Sequence, residues 1–298
     1  MLYSVGRTLS PNRLKQELIE LGSFGRTPQK RVASYDQLEA ENGVTRPTGT
    51  EADKKARDFV VARMKETGLD VRIDKVGNIF ARRDGQTEKG VVMAGSHLDS
   101  VINGGMFDGT LGVIGALEAV RRIDEDGFEN YRPVEVVVYT GEEGSAFSPP
   151  LLGSSVLSGK MRADDALARK NDKGETLEEA LERIGYKGDF ERSLDDVEYS
   201  LELHIEQGPL LDRERIPLGI VENITGLAWV LATIRGEENH AGTTPMRMRK
   251  DALVAAAEVV SWVNGRAKEM AGRSGGSTVG TVGKLLVFPG GTNIVPGR

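Results

Sequence analysis

The groups that could do chemistry are few, and they recur at one kind of place. His97, Asp108, the pair Glu142-Glu143 and His204 each fall at or just after an apolar, strand-like run. Imidazole and carboxylate together, in a chain with no cysteine, form a donor set for zinc or a similar divalent ion. An aspartate has two oxygens and can bridge two cations, an arrangement common in amide hydrolysis. Adjacent glutamates after a strand point in different directions, so one can hold a cation while its neighbour stays free as a base. Taken singly, each residue reads more simply as a solvated loop group or a hydrogen-bonded histidine. It is their joint placement at strand ends that points to a metal site.

The elements that must position them follow from periodicity. Val91-Val92-Met93-Ala94 reads as a buried strand running into Gly95-Ser96-His97-Leu98-Asp99. A glycine-rich loop carries Asp108, and Thr110 is expected to cap a helix with Leu111, Ile114, Leu117 and Val120 on its apolar face. The strand Val134 to Tyr139 then leads into Thr140-Gly141-Glu142-Glu143-Gly144, so strand, helix and strand form a βαβ unit with parallel pairing. Upstream, Asn12 to Leu21 is a helix. Thr50-Glu51-Ala52-Asp53 resembles a capping box for a helix burying Ala52, Ala56, Phe59, Val60 and Met64, with Gly68 at its end. Leu69 to Ile73 and Asn78 to Arg82 pair around Gly77, and the alternating stretch Tyr199 to Ile205 carries His204. The rest of the first fifty residues shows little chemistry. Leu177, Ala180, Leu181 and Ile184 form a weak helical stripe.

After Asp212 the pattern changes to strands at Leu218–Val221 and Leu227–Ile234, a helix at 251–264 and a strand at 278–288, an α+β series. The expected organisation is therefore a catalytic α/β domain over 1–212 and a second domain over 213–298.

Composition removes other classes. A net charge of −6 gives no basic surface for nucleic acid. No apolar run approaches membrane-spanning length, and MLYSVGRTLS lacks a signal peptide's apolar core, so a cytoplasmic location is the expectation. Gly153 to Lys160 is not a P-loop, because five residues separate its glycines and Met161 stands where Ser or Thr is needed. Gly109, Gly112 and Gly115 do not make the dinucleotide fingerprint and suit close helix packing instead. There is no G-x-S-x-G elbow, and Ser96 has no placed base.

Read together, Gly95-Ser96-His97-Leu98-Asp99-Ser100, Asn103-Gly104-Gly105, Phe107-Asp108-Gly109, Glu142-Glu143-Gly144, His204-Ile205-Glu206-Gln207-Gly208 and Asn239-His240-Ala241-Gly242-Thr243-Thr244-Pro245 resemble the hydantoinase/carbamoylase family of dinuclear metal amidohydrolases. The matches run in order from about residue 45 to the end. The resemblance implies an aminoacylase-type metallopeptidase fold, with a mostly parallel mixed sheet and a ferredoxin-like lid and dimerisation domain. It implies that His97 and His204 hold one cation, Asp108 bridges, Glu143 holds the second, and Glu142 is the general base for a water between them. Gln207, His240 and Asn293 match substrate-contacting positions, with His240 stabilising an oxyanion across a homodimer. The implied cofactors are two divalent ions, Zn2+ first, with Mn2+ or Co2+ tolerated by the same ligands. The implied substrate is a small ureido compound, an N-carbamoyl-L-amino acid first and allantoate or a related ureide second.

One departure sets a further expectation. The family pattern continues beyond Asn293-Ile294-Val295-Pro296-Gly297 with an arginine for the substrate carboxylate and a last histidine for the second cation. This sequence stops at Arg298 and has three histidines in all. The chain is thus expected to be a fragment with its second cation short of a ligand, and a non-catalytic metal-binding or dimer-forming remnant is the alternative from another class.

Overall fold

The computed structural model describes residues 11–27, 43–276 and 278–298. The chain divides into two compact units, 1–218 and 219–298.

In the first unit α1 (Pro11–Leu21) leads to a short antiparallel pair, β1 (Arg26–Thr27) with β2 (Gly43–Val44). Next comes α2 (Glu51–Glu66), where the Thr50 side chain accepts the N–H of Asp53. Asp53 does not complete the expected box. Its carboxylate instead accepts the N–H of Gly49 and a guanidinium bond from Arg57. Glu51 and Asp53 in the first turn and Arg63 and Lys65 in the last suit the helix dipole. Ala56, Val60 and Met64 are buried in the main core.

The hairpin β3 (Asp70–Ile73) and β4 (Ile79–Arg83) precedes β5 (Val91–His97), α3 (Thr110–Glu125) and β6 (Val134–Tyr139). Short helices α4 (Leu152–Leu157), α5 (Ala163–Leu167) and α6 (Leu177–Ile184) follow, then β7 (Val197–Leu201) and α7 (Leu210–Glu214). All four residues of the stripe on α6 are buried. Thr110 is not the cap of α3. Gly109 occupies that position at φ 65°, and the Thr110 hydroxyl donates to Met106 O at 2.5 Å.

The five strands lie in the order β3-β4-β6-β5-β7. The sheet is mixed: β6–β5 and β5–β7 pair in parallel, while β3–β4 and β4–β6 are antiparallel. The expectation of a mostly parallel sheet therefore holds only for its β6-β5-β7 half. That half positions the chemistry. Because β5, β6 and β7 run the same way, with His97 opposite Tyr139 and Ala94 opposite Leu201, the loops after all three open at one end of the sheet. Gly95 permits the close approach of β5 and β6, since a Cβ there would lie 1.9 Å from Val137 O. The apolar face of α3, including Val113, Ile114, Leu117 and Val120, is buried as α3 packs on β5. β7 ends at Leu201, earlier than alternation suggested, so His204 stands on the loop beyond the strand.

The second unit holds β8 (Asn239–His240), α8 (Ala252–Arg273) and β9 (Ile294–Val295), with β8 and β9 paired antiparallel. The helix is longer than the sequence suggested, with Asp251 capping the N–H groups of Leu253 and Val254. Residues 218–221, 227–234 and 278–288 form no strand among the described residues, contrary to expectation. A strand has no internal hydrogen bonds and persists only beside a partner. Ile220 and Leu231 remain 91% and 96% exposed, so the apolar alternation there is not buried against a sheet.

Candidate metal centre

His97 is the last residue of β5 and is buried, with Nδ1 2.9 Å from Asp99 O. That contact places a proton on Nδ1 and leaves Nε2 as a free donor of its lone pair. Nε2 lies 3.7 Å from Asp108 Oδ1 and 3.6 Å from Glu142 Oε2. His204 Nε2 approaches the same Asp108 oxygen at 3.3 Å, while its Nδ1 turns back to Ile205 O at 2.9 Å. His97, Asp108 and His204 each offer a ligand atom within 4.8 Å of the others, and so do His97, Glu142 and Glu143.

Two observations test whether a cation fits. Asp108 Oδ1 is buried without a hydrogen-bond partner, although it faces two imidazole nitrogens. A carboxylate oxygen left so would be costly unless something positive completes it. The electrostatics agree. Burial works to lower the His97 pKa, but the charges of Asp99, Glu142 and Glu143 and the Asp99 carbonyl outweigh it and hold it raised. Burial, then the charge of Asp108, pushes Glu143 up to about 7. Burial likewise raises Glu142, with His97 pulling the other way and Asp99 adding to the rise. The pocket gathers carboxylates around His97 and His204, and a divalent cation would relieve their mutual repulsion. The residues fit the group.

Gln207 sits beside this cluster, donating from Nε2 to Asp108 Oδ2 at 2.6 Å. His240 and Asn293 belong to the second unit, where their side chains meet at 3.0 Å. His240 Nδ1 accepts the N–H groups of Gly242 and Thr243 at 3.1 and 3.2 Å.

Sequence reasoning passed over the residues that hold the loops. The Asp99 carboxylate accepts the N–H groups of Glu142 and Glu143, both at 3.2 Å, tying the end of β5 to the glutamate turn. Its only signal is its place two residues after His97. Arg46, fully buried, donates to Leu98 O at 2.6 Å and to Leu21 O and Phe24 O at 2.9 Å. Arg57 bonds Asp53, Gly77 O and the hydroxyl of Thr140, just ahead of Glu142. An arginine inside a helix or loop carries no periodicity signal, so neither was visible. Gly109 completes the cradle. A Cβ there would lie 2.5 Å from the His97 ring.

A mixed α/β sheet whose parallel strands converge imidazoles and carboxylates at one end is the framework of a metal-dependent hydrolase. Residues 93–292 match the model of peptidase family M20/M25/M40. The N-carbamoyl-L-amino acid amidohydrolase of Geobacillus stearothermophilus is 41% identical over 291 residues, 96% of this chain and 67% of that protein. The allantoate amidohydrolase of Bacillus subtilis is 37% identical, covering 87% of this chain and 63% of its own. An amidase of the hydantoinase/carbamoylase family from Burkholderia vietnamiensis superposes with a TM-score of 0.85 at 36% identity, over 100% of this chain and 68% of that structure. The chain belongs to peptidase family M20/M25/M40, in its hydantoinase/carbamoylase branch. It spans about two thirds of the length of these relatives. No helix among the described residues is long and apolar enough to cross a membrane.

Proposed function

We propose that this chain carries the metal site of an amidohydrolase that cleaves a linear ureido C–N bond, with an N-carbamoyl-L-amino acid as substrate. The observation that carries this is the buried, unpartnered Asp108 Oδ1 between the Nε2 atoms of His97 and His204. The names of the Geobacillus and Bacillus relatives support the substrate class. His97, Asp108 and His204 would hold one cation, and Asp108 with Glu143 the second, zinc being the first choice for these donors. When bound, the cations supply positive charge that polarises the ureido carbonyl and acidifies water.

The chain's own groups do the rest. Glu142 is half-buried and raised in pKa by that burial, which suits it to take a proton and later release it. It accepts the proton from the attacking water and delivers it to the leaving nitrogen as the C–N bond breaks. Asp99 fixes the backbone of that glutamate so the proton moves between defined points. His240, reaching the site across a homodimer as the family resemblance implies, is the donor for the oxyanion of the attacked carbon, and Asn293 stands beside its imidazole. Residues 213–298 acting as a lid, a homodimer formed through that lid and a cytoplasmic location belong to the same reading.

The test is ammonia release from N-carbamoyl-L-amino acids and from allantoate, with metal content measured on the same preparation. Turnover that needs added zinc or manganese, and is lost in Glu142→Gln while metal is retained, is the expected result. Failure to take up any cation, or full activity in Glu142→Gln, overturns the reading.

A further inference from the structure

Asp108 must use both oxygens to bridge two cations, yet its two oxygens stand in different circumstances. Oδ1 faces His97 and His204 and has no hydrogen-bond partner. Oδ2 accepts the Gln207 amide at 2.6 Å, a short contact for a charge-assisted N–H···O bond. The first cation position therefore lies ready, whereas the second shares its oxygen with a side-chain donor.

The backbone that carries Gln207 is held in place. Gln207 lies at φ 56°, in the left-handed region that a non-glycine residue occupies only when its surroundings demand it. The Glu206 carboxylate pins the turn by accepting the N–H groups of Leu210 and Leu211 at 2.9 and 3.0 Å. The turn is fixed, but the exposed Gln207 side chain can swing into water at the cost of one hydrogen bond.

Resting on the two-cation reading above, we infer that Gln207 competes with the second cation for Asp108 Oδ2 and makes loading sequential. The first ion enters between His97, Asp108 Oδ1 and His204 without disturbing Gln207. The second displaces the amide, which is then released beside the cation pair, where a ureido substrate offers it a carbonyl acceptor. Gln207 is thus a positioning residue that couples completion of the metal pair to the freeing of a substrate donor. A hydrogen bond to a charged group is worth on the order of tenfold or more in an equilibrium constant, which sets the scale of the competition.

The test is calorimetric titration of the metal-free chain with Zn2+, comparing wild type with Gln207→Ala and Gln207→Asn, the shorter amide. The expected result is an unchanged first step and a second step tightened about tenfold in both variants. A second ion taken up by the variants but not by wild type is the same result in stronger form. Equal second steps, a weakened second step, or a single ion in all three proteins overturns the competition while leaving the first site standing. No uptake by any of them overturns the metal reading itself. Because Gln207 is exposed, matching thermal melts check that the variants fold as wild type does.

Discussion

The side-chain oxygen of Asn78, in the turn between β3 and β4, accepts the backbone N–H of Thr140 at 2.9 Å. The same amide donates to Asp74 at 2.8 Å and to Gly153 O at 3.1 Å, all in the buried interior. One short polar side chain thus fixes both ends of the loop that carries Glu142 and Glu143. The packing is tight enough that a Cβ on Gly153 would come within 2.0 Å of the Asn78 oxygen. Asn78→Ala takes the acceptor from Thr140 N–H and a donor from Asp74 Oδ2 and from Gly153 O, a loss of about 2–4 kcal/mol. Thermal unfolding should fall by roughly 5–15 °C, and Zn2+ affinity should fall with it as the glutamates lose their register. An unchanged melt would show that the loop is held by other contacts.

Gly109 tests the cradle more locally. Its φ of 65° and the 2.5 Å approach of any Cβ to the His97 ring leave no room for alanine. Gly109→Ala should therefore turn His97 away and reduce zinc affinity by at least tenfold, beyond the ~1 kcal/mol of backbone strain. Gly105→Ala is the control in the same loop, because a Cβ there meets nothing within 4 Å. Equal zinc affinities in the two variants would remove Gly109 from the account of the site.

Asp74 predicts a pH dependence of stability. Burial raises its pKa from 3.8 to about 6, against the pull of hydrogen bonds from Asn78 and Val76. A carboxyl whose folded pKa lies above its unfolded value holds its proton more tightly when folded. Its penalty on folding is absent below about pH 4, grows as pH rises toward about 6, and is constant above, reaching about 3 kcal/mol. Asp74→Asn removes that slope. It also sets its own amide against that of Asn78, so stability at low pH should drop. Urea unfolding across pH 4–7 separates the two effects, and identical slopes in both proteins would refute the titration.

How far the sequence discloses this molecule depends on whether a feature is periodic. The strands ending at His97 and Tyr139, and the helix between them, stand out because apolar alternation and helical stripes reflect burial directly. His97, Asp108, Glu142, Glu143 and His204 stand out because their chemistry is rare in combination. Arg46, Arg57, Asn78 and Asp99 do not, since a buried polar residue is defined by partners far along the chain. The same limit explains the expected strands at 218–221, 227–234 and 278–288. Alternation reports which side chains could share a face, and says nothing about whether a neighbouring strand is present to bond them.

The buried pair Asp53–Arg57 gives the last prediction. Arg57 Nε meets Asp53 at 2.9 Å with both side chains essentially inaccessible, and Nη2 reaches the Thr140 hydroxyl at 3.2 Å. Burial, opposed by Arg57, raises the pKa of Asp53. Removing the arginine alone in Arg57→Met leaves a carboxylate in the core with only the Gly49 N–H, and should cost about 3–5 kcal/mol. Removing the charge as well, in Asp53→Asn with Arg57→Met, keeps an acceptor for Gly49 and takes away the uncompensated ion. The double variant should therefore be more stable than Arg57→Met by at least 1 kcal/mol, on the order of the coupling between contacting residues. It should still bind Zn2+ more weakly than wild type, because Thr140 has lost its guanidinium tether in both. Urea unfolding of the two single variants and the double variant closes the cycle. A double variant no more stable than Arg57→Met would mean that the lone Asp53 carboxylate is no burden on the core, and would overturn this account of the pair.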